Sequence, residues 1–456
     1  MFKRNLIYIL LFTAILVLAF VFPTKSQMSV QNGINGITDL VAGRNVNMVS
    51  EDTYRERQNE PSLAVSTINT DHLLAGANDY TTVAMASQQP TIGITEDAWL
   101  GVFKSFDGGE SWTHELMPGS SKKDPSPLLG FDAAADPTVR AGIGGAFFYS
   151  GIAFDRKRNG DSVIFVSRWQ DQGTKNDISF EGITIIDQGT SGQFSDKPWL
   201  AVDVPRPGFN YPDGVVYIIY SIFLGEIDKN IHSKIMLSRS IDGGQSWEKP
   251  IKVSEGQQKN QGTIVAIDPN DGTVYIAWRR FAATNAMDAI LIAKSEDFGQ
   301  TFTKAEEVAL IPRPFDQSSV GIEFGPTQFR TQVYPAMAID HTGRVYLAWS
   351  QRDVDALKYD DARIVLTSFE QEEWSFPRFN IEAVESPFMY VDPSTGERIG
   401  KPVYDGSGEV INKEYIQGHQ FMPTLSFAAG KLIIAWYDSR FSGRYFDEYG
   451  NPRTDP

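Results

Sequence analysis

Short apolar runs separated by turn residues recur along most of the chain. The segment 261–281, QGTIVAIDPNDGTVYIAWRRF, contains two such runs, IVAID and VYIAW, joined by Asp, Pro, Asn and Gly. Short runs of β-branched and aromatic residues bounded by turn residues are typical of buried strands. The segment therefore predicts a pair of antiparallel strands, here called strands a and b.

This two-strand sequence pattern occurs six times, at 59–79, 135–154, 196–223, 261–281, 333–353 and 421–440. A third run, strand c, follows at 100–105, 235–240 and 290–295, and a fourth, strand d, is visible at 250–254 and 306–310. Repeated four-stranded antiparallel units are the signature of a β-propeller. A β-solenoid would need shorter repeats, and a pair of β-sandwiches would not repeat one unit so evenly. We predict an all-β, six-bladed propeller over residues 45–456.

The turn between strands c and d contains a sequence motif that is almost the same in three repeats: SFDGGESW, SIDGGQSW and SEDFGQTF. An Asp in such a turn accepts hydrogen bonds from nearby backbone N–H groups, a Gly adopts positive φ, and the closing aromatic ring packs on the blade. All three features stabilise the turn itself, so the motif predicts a structural role for its residues. The residues concerned are Ser105, Asp107, Gly109, Trp112, Ser240, Asp242, Gly244, Trp247, Ser295, Asp297, Gly299 and Phe302.

The pattern S-x-D-x-G-x-[ST]-[WF] resembles the Asp-box of the sialidase-like superfamily, whose propellers contain BNR repeats. A fourth segment at 368–374, SFEQEEW, is similar to a decayed copy. The resemblance covers nearly all of the chain from about residue 45 to residue 440. It implies the same propeller fold, with Asp-boxes that are structural and lie away from the active site.

Antiparallel strands alternate in direction, so a–b and c–d turns share one face of a propeller, and b–c and d–a loops share the other. Ligand sites usually lie on the second face, where loops from several blades converge. The d–a loops bring Glu60, Asp136, Asp196, Lys197 and Tyr334 there. The b–c loops bring Asp79, Arg279, Arg280, Arg352, Asp353, Asp438 and Arg440.

The resemblance also implies roles for these residues. A sialidase holds the carboxylate of its sugar with three arginines and uses a Tyr nucleophile and an Asp acid. By this resemblance the arginines would be Arg280, Arg352 and Arg440, the nucleophile Tyr437 or Tyr334, and the acid Asp79 or Asp136. Glu60, Asp353 and Asp438 complete the predicted ligand-binding set. The alternative is that the arginines are rim residues paired with neighbouring carboxylates.

Two functions remain open. Sialidases begin their catalytic domain with the motif [FY]-R-I-P, whereas the equivalent region here reads YRERQNEPSLAV. We therefore predict a propeller that binds a surface glycan or a surface protein through the b–c and d–a loops. The alternative is a glycoside hydrolase of the exo-sialidase type, with the arginines holding a sugar carboxylate.

Charge, Cys content and the N-terminal segment indicate which partners the protein has and where in the cell it is located. The chain has 41 Lys and Arg against 57 Asp and Glu, a formal charge of −16, which argues against nucleic acid as a partner. It has no Cys, so disulfides and thiolate chemistry are excluded. Two cations precede an apolar run at 6–22, which predicts a signal peptide or signal anchor at 1–26, followed by a linker at 27–44. The protein is then exported, to the periplasm, the cell surface or the medium, and touches a membrane only through an uncleaved anchor.

Three further features complete the prediction. The segment 268–272, DPNDG, is acidic enough to suggest structural calcium, but its place between strands a and b favours a plain turn, and the five His lack ligand spacing. We therefore expect no cofactor. A strand at 45–50 would close the ring, and 387–418 is an insertion with a hairpin. No strand c follows the last repeat, so we expect the sixth blade to be incomplete in this chain and the polypeptide to continue beyond Pro456.

Overall fold

The structure is a computed structural model. It describes residues 46–48, 58–80, 98–120, 125–157, 160–189, 192–226, 229–282, 286–316, 331–352, 362–370, 373–375, 378–379, 388–391, 394, 398–399, 401–411, 413–415, 419–428 and 430–438. The chain divides into two compact units, Met1–Asn47 and Met48–Pro456, and every strand among the described residues lies in the second. Within the described residues, no helix has the length and apolar character needed to span a membrane.

The first two repeats each form a four-stranded antiparallel sheet with the strands in chain order. The first sheet contains β1 (Gln58–Val65), β2 (Leu73–Asp79), β3 (Trp99–Ser105) and β4 (Thr113–Leu116). The second contains β5 (Ala133–Ala141), β6 (Ala146–Phe154), β7 (Ser162–Asp171) and β8 (Ile178–Gly189), with a short 3-10 turn at Ile143–Gly145 between its first two strands. These are strands a, b, c and d of the predicted repeat.

The next two repeats have the same order. The third sheet contains β9 (Gln193–Asp203), β10 (Val215–Glu226), β11 (Lys229–Ser240) and β12 (Ile251–Lys252). The fourth contains β13 (Lys259–Ile267), β14 (Val274–Phe281), β15 (Asp288–Ser295) and β16 (Glu306–Ile311). The predicted strands a and b are confirmed in all four sheets, and the predicted strands c at 100–105, 235–240 and 290–295 are confirmed in the first, third and fourth. Strand d of the third sheet is only two residues long.

The fifth repeat has β17 (Ala336–Ile339), β18 (Val345–Gln351), β19 (Arg363–Glu370) and β20 (Glu373–Trp374), and β21 (Arg378–Phe379) also pairs with β19. The 387–418 region holds a small sheet of β22 (Phe388–Val391), β23 (Arg398–Ile399) and β24 (Lys413–Tyr415). A hairpin turn there is closed by a bridge between Tyr404 and Val410. The described part of the sixth repeat contains one strand pair, β25 (Gln420–Ala428) and β26 (Lys431–Asp438).

Four hydrophobic cores lie between consecutive sheets, which is the packing of propeller blades. One core joins the first and second sheets through residues such as Leu100 and Phe165, and another joins the second and third through Ile164 and Ile218. A third joins the third and fourth sheets, and a fourth joins the fourth sheet to the fifth and to Phe421 of the sixth repeat. The buried Trp278 and Trp349 belong to these last two cores. The fold is therefore all-β, built from six copies of the a–b strand pair.

The parts of the predicted organisation that remain untested lie mostly outside the described residues. Segments 1–26 and 27–44 lie wholly there, and so do the residues after Asp438. Of the predicted closing strand at 45–50, only residues 46–48 are described, and they are not in a strand. Closure of a complete six-bladed ring stays a prediction.

The three Asp-boxes form one repeated turn. In the first sheet Ser105 Oγ donates to Asp107 Oδ1 (2.9 Å), and the N–H groups of Gly109 and Ser111 donate to Ser105 Oγ and Asp107 Oδ1 (both 2.9 Å). The other two boxes repeat these bonds. The fourth, decayed segment also lies at a c–d turn, where Phe369 pairs with Trp374 across β19 and β20.

Two of these boxes also contact the preceding sheet. Gly244, with φ of +80°, lies so close to β6 that an added Cβ would be 2.5 Å from Cε1 of Phe148. Gly299, with φ of +78°, stands in the same relation to Tyr217 of β10. The Gly in the box therefore serves both the turn and the packing of one blade on the next.

Replacement of Gly244 by Ala should lower the free energy of unfolding by about 2–4 kcal/mol, because strain at positive φ and overpacking against Phe148 add. Gly208 is the matched control: its φ is +83°, but no atom lies within 4 Å of the position of an added Cβ. Gly208→Ala should therefore cost only about 1–2 kcal/mol. Urea unfolding of the two variants measures the difference, and equal losses would show that the contact between blades contributes nothing.

Candidate functional site

The inner strand of five repeats is interrupted at the same place by a β-bulge. Register shifts occur in β1, β5, β9, β13 and β25 where each pairs with strand b. The bulged residue has positive φ in every case: Glu60 (+53°), Asp136 (+61°), Lys197 (+51°), Gly262 (+72°) and Met422 (+49°). A non-Gly residue with positive φ is uncommon, so four at equivalent positions are a deliberate feature of the fold.

These bulges lie at the end of the sheets opposite the Asp-boxes. In the first sheet Gln58 pairs with Asp79, and Asp79 pairs with Trp99, so the start of β1 and the end of β2 are at one end. The other end contains Leu73 paired with Ser105 of the Asp-box. The bulges therefore lie on the face predicted to bind a ligand.

Side chains from three sheets meet at the bulges. Lys197 Nζ lies 2.7 Å from Glu60 Oε2 and 2.8 Å from Asp136 Oδ1. Asp196 accepts a hydrogen bond from Gln261 Nε2, which brings in a fourth sheet. We call Glu60, Asp136, Asp196, Lys197 and Gln261 the bulge cluster.

The backbone around the cluster is also fixed between sheets. Asn78 Oδ1 accepts a hydrogen bond from the Asp136 N–H (2.8 Å), and Asn78 Nδ2 donates to Asn59 Oδ1 (2.8 Å). Thr138 Oγ1 donates to the Pro198 carbonyl (3.0 Å). Because these bonds join residues on strands of the first three sheets, the cluster is held by the sheets rather than by loops.

Burial and charge set the protonation of the acidic groups. Burial alone would raise the pKa of Asp136, but the charge of Lys197 and hydrogen bonds with neighbouring side chains lower it to about 2. Burial and the charge of Asp136 raise the pKa of Asp196 to about 7, because Lys197 and Gln261 only partly oppose them. Burial also raises the pKa of Glu60.

For Lys197, the charges of the neighbouring carboxylates outweigh the effect of burial on the pKa. Burial would lower the pKa of Lys197, but the charges of Asp136, Glu60 and Asp196 raise it. Its ammonium therefore stays charged at neutral pH.

Exposure differs across the cluster: the Glu60 side chain is 41% exposed, Lys197 20% and Asp136 10%. Glu60 is thus the most accessible of these three groups.

An aromatic ring borders the cluster. Tyr334, half-buried at the start of the fifth repeat, lies against Gly262, the residue after Gln261, where a Cβ would overlap its ring. The Tyr334 hydroxyl donates to Gln332 Oε1. The site therefore combines carboxylates, an ammonium, an amide and an aromatic ring.

The predicted arginine trio does not meet at this site in the described residues. Arg280 contacts Glu307 of β16 (2.8 Å) and lines a pocket of about 340 Å³ between the third and fourth sheets. Arg352 is buried, with its guanidinium 5.2 Å from the centre of the Phe315 ring. Arg440 and Asp353 lie outside the described residues.

The other predicted site residues are dispersed. Asp79 is fully buried, with Oδ2 2.8 Å from Nε2 of His114. Tyr437 is 59% exposed and stacks on Phe421 with ring centres 5.8 Å apart, and Asp438 ends β26 beside Gln420. Glu60 and Asp136 alone of the predicted set lie in the bulge cluster in the part of the chain that is described.

The sequence reasoning gave no role to four residues that are central to the structure, although it placed Arg279, Asp196 and Lys197 on the ligand-binding face. Arg279, next to Arg280, is fully buried between Asp288 and Asp316, with Nη1 2.7 Å from Asp316 Oδ1, and stabilises the fourth sheet. Lys197, Asp196 and Gln261 received no specific role. A signal was present, since the bulged residue precedes Pro in Glu-Pro, Asp-Pro, Lys-Pro and Met-Pro, and Tyr-Pro stands at the same point of the fifth repeat.

The described residues contain no group of three or more His, Asp or Glu side chains arranged to hold a metal ion. The segment 268–272 is the turn between β13 and β14, in which Asp268 Oδ1 accepts a hydrogen bond from the Asn270 N–H (2.8 Å). Asp268 therefore has a structural partner in its own turn.

Comparison with known proteins gives structural neighbours only. No protein-family model matches the sequence, and no curated protein matches it. A protein of unknown function from Dyadobacter fermentans is similar with a TM-score of 0.47 and 14% identity, over 84% of this chain and 90% of that one. An α-L-arabinofuranosidase from Fusarium graminearum has a TM-score of 0.46 and 13% identity, over 84% and 89%.

A sialidase from Trypanosoma rangeli has a TM-score of 0.42 and 14% identity, over 84% of this chain and 52% of the sialidase. The chain thus spans about half the length of that enzyme. Sialidases and arabinofuranosidases are the kinds of protein to which the structure is similar, as the Asp-boxes suggested. At TM-scores below 0.5, the fold assignment rests on the sheets, their cores and the Asp-box turns.

The opposite pKa shifts of Asp136 and Asp196 give opposite effects of pH on stability. Asp136 has a lowered pKa in the folded state. Its ionised form therefore contributes to folding stability above pH 3.8, the ordinary pKa of Asp, and this contribution is lost as the pH falls towards 2. Asp196 has a raised pKa, so the folded protein retains a proton that the unfolded chain has released. Stability is therefore lost as the pH rises from about 4 to about 7.

Asp196→Asn should gain stability relative to the wild type from pH 4 to pH 7 and keep a constant gain, on the order of 1–3 kcal/mol, above pH 7. Asp136→Asn should instead be less stable at pH 7, and the loss should shrink as the pH falls towards 2. Urea unfolding between pH 3 and pH 8.5 tests both. If Asp196→Asn were as destabilising at pH 8 as Asp136→Asn, the assigned protonation states would be wrong.

Proposed function

We propose that the protein binds a carbohydrate at the bulge cluster. The observation that carries this proposal is the convergence of Glu60, Asp136, Asp196 and Lys197 from three inner strands at the end of the sheets opposite the Asp-boxes. Carboxylates accept hydrogen bonds from sugar hydroxyls, and an ammonium donates to them; charge-assisted bonds of this kind are strong. The nearby Tyr334 ring offers an apolar surface for the C–H groups of a sugar.

A small polar ligand fits the cluster better than a protein surface does. Stable protein interfaces bury more than about 1,000 Å² around a largely uncharged centre. Here the Lys197 ammonium lies within 3 Å of the Glu60 and Asp136 carboxylates, and the Glu60, Lys197 and Asp136 side chains are 41%, 20% and 10% exposed. Convergent polar groups beside an aromatic ring are typical of small-ligand sites. The exported location predicted from the sequence would present this site to extracellular or surface glycans.

The test is a glycan array with the full chain, followed by calorimetry on the glycan that binds best. Glu60→Ala and Lys197→Met should each weaken binding by about tenfold or more, since each removes a charge-assisted hydrogen bond. Glu307→Ala is the matched control, because Glu307 is 42% exposed and lies 2.8 Å from Arg280 in the fourth sheet. It should bind as the wild type does. Unchanged binding by the first two variants would refute the site.

Hydrolysis is a second candidate, favoured by the carboxyl pair. Asp136 and Asp196 are hydrogen-bonded to each other, and the pKa of one is lowered to about 2 while that of the other is raised to about 7. At neutral pH one group is a carboxylate and the other can donate a proton, which are the protonation states of a base and an acid in general acid–base catalysis. This version uses carboxyl groups rather than the arginine trio of the exo-sialidase prediction.

A panel of fluorogenic glycosides, including sialosides, tests hydrolysis. Turnover should fall as the pH rises through about 7, because Asp196 then loses its proton. Asp196→Asn should reduce the rate by about 100-fold or more at every pH. If no glycoside in the panel is cleaved, hydrolysis is excluded for those linkages, whereas the calorimetry still decides whether the site binds sugars.

A further inference from the structure

The bulge cluster has more acidic than basic groups. Three carboxyl groups, those of Glu60, Asp136 and Asp196, surround the single ammonium of Lys197, and the ammonium already contacts two of them. A ligand entering the cluster therefore meets a net negative charge. The negative charge is partly exposed, because the Glu60 side chain is 41% exposed, against 10% for Asp136.

Two arginines on adjoining strands have partners outside the cluster. Arg279 is directly opposite Gln261 in the sheet ladder, but its guanidinium lies between the carboxylates of Asp288 and Asp316. Arg140, on the same strand as Asp136, has its guanidinium 4.9 Å from the centre of the Trp199 ring and donates to the Val139 carbonyl. Both cations are thus directed to other groups.

An acidic sugar would place its carboxylate beside these groups at short range. Within a partly buried site the repulsion between like charges is much larger than in water. A sugar whose hydroxyls donate to Glu60 avoids this repulsion and keeps the hydrogen bonds. The Lys197 ammonium, shared between Glu60 and Asp136, would have to exchange one of these contacts to bind an incoming carboxylate.

We propose that the bulge cluster selects sugars that lack an acidic group and rejects uronic and sialic acids. This inference rests on the proposed function, since it concerns what the same site accepts. It differs from the sialidase-type expectation, in which arginines hold a sugar carboxylate. The structure instead presents carboxylates where such a ligand would lie.

The experiment compares matched pairs of glycans on one array: neutral oligosaccharides and the same oligosaccharides carrying a uronic or sialic acid. The full-length wild type should bind the neutral member at least about tenfold more tightly. Raising the salt concentration to 0.5 M should narrow this ratio, since screening weakens repulsion between charges. Equal binding of the two members, or tighter binding of the acidic one, would overturn the inference.

Charge variants make the test specific to the cluster. Glu60→Gln keeps an oxygen acceptor but removes one negative charge, so the ratio of neutral to acidic binding should fall by about threefold to tenfold. Glu307→Gln removes the same net charge from a side chain of equal exposure elsewhere and should leave the ratio unchanged. Equal shifts in both variants would attribute the selectivity to overall charge and overturn the assignment to the cluster.

The outcomes also separate this inference from the proposed function. Tight binding of acidic glycans that is lost in Lys197→Met would sustain carbohydrate binding at the cluster but contradict its selectivity. Failure to bind any glycan, with wild-type unfolding behaviour showing an intact fold, would refute both.

Discussion

A left-handed residue in the inner strand is the constraint on which the site depends. Glu60, Asp136 and Lys197 all have φ between +51° and +61°, and each precedes a Pro. Backbone of this kind costs about 1–3 kcal/mol per residue, and a following Pro normally favours an extended conformation instead. The fold must therefore over-determine these positions. It does so through regular ladder pairs on both sides of each bulge and hydrogen bonds such as Asp136 N–H to Asn78.

The bulge also explains why the charged side chains meet. In a regular strand, successive residues point to opposite faces, so neighbours in sequence would be separated by the sheet. A bulge places two residues against one on the partner strand and re-aims the extra side chain. Asp196 and Lys197 are consecutive, yet both reach Asp136. The chain thus gathers the site from the first strand of four successive sheets.

The sequence predicted what depends on local pattern. Strands a, b and c were recognisable because short apolar runs alternate with turn residues, and the Asp-boxes because their bonds lie within five residues of one another. The bulges were not recognised, since hydrophobic periodicity carries no signal for one inserted residue. The repeated X-Pro step was present, but its meaning depends on the pairing of two strands.

The two adjacent arginines at the end of β14 show the same dependence on strand pairing. Arg279 and Arg280 are adjacent, and the alternation of a strand sends one to the Asp288–Asp316 pair and the other to Glu307. Which residue faces the centre depends on register, and a shift by one position exchanges them. The position of an Arg near the end of strand b is therefore not enough to predict which arginine side chain faces a ligand site.

Electrostatics and backbone strain support each other at the bulge cluster. Three carboxyl groups brought together by the bulges would repel one another, and burial would drive them all towards the neutral form. Lys197 prevents this for Asp136, whose pKa is lowered, but not for Asp196, whose pKa is raised. The ammonium comes from the third bulge itself, so the strained backbone that creates the repulsion also supplies the charge that relieves it. A site built this way keeps a fixed, partly unbalanced charge pattern, which is the property that can discriminate among ligands of similar shape.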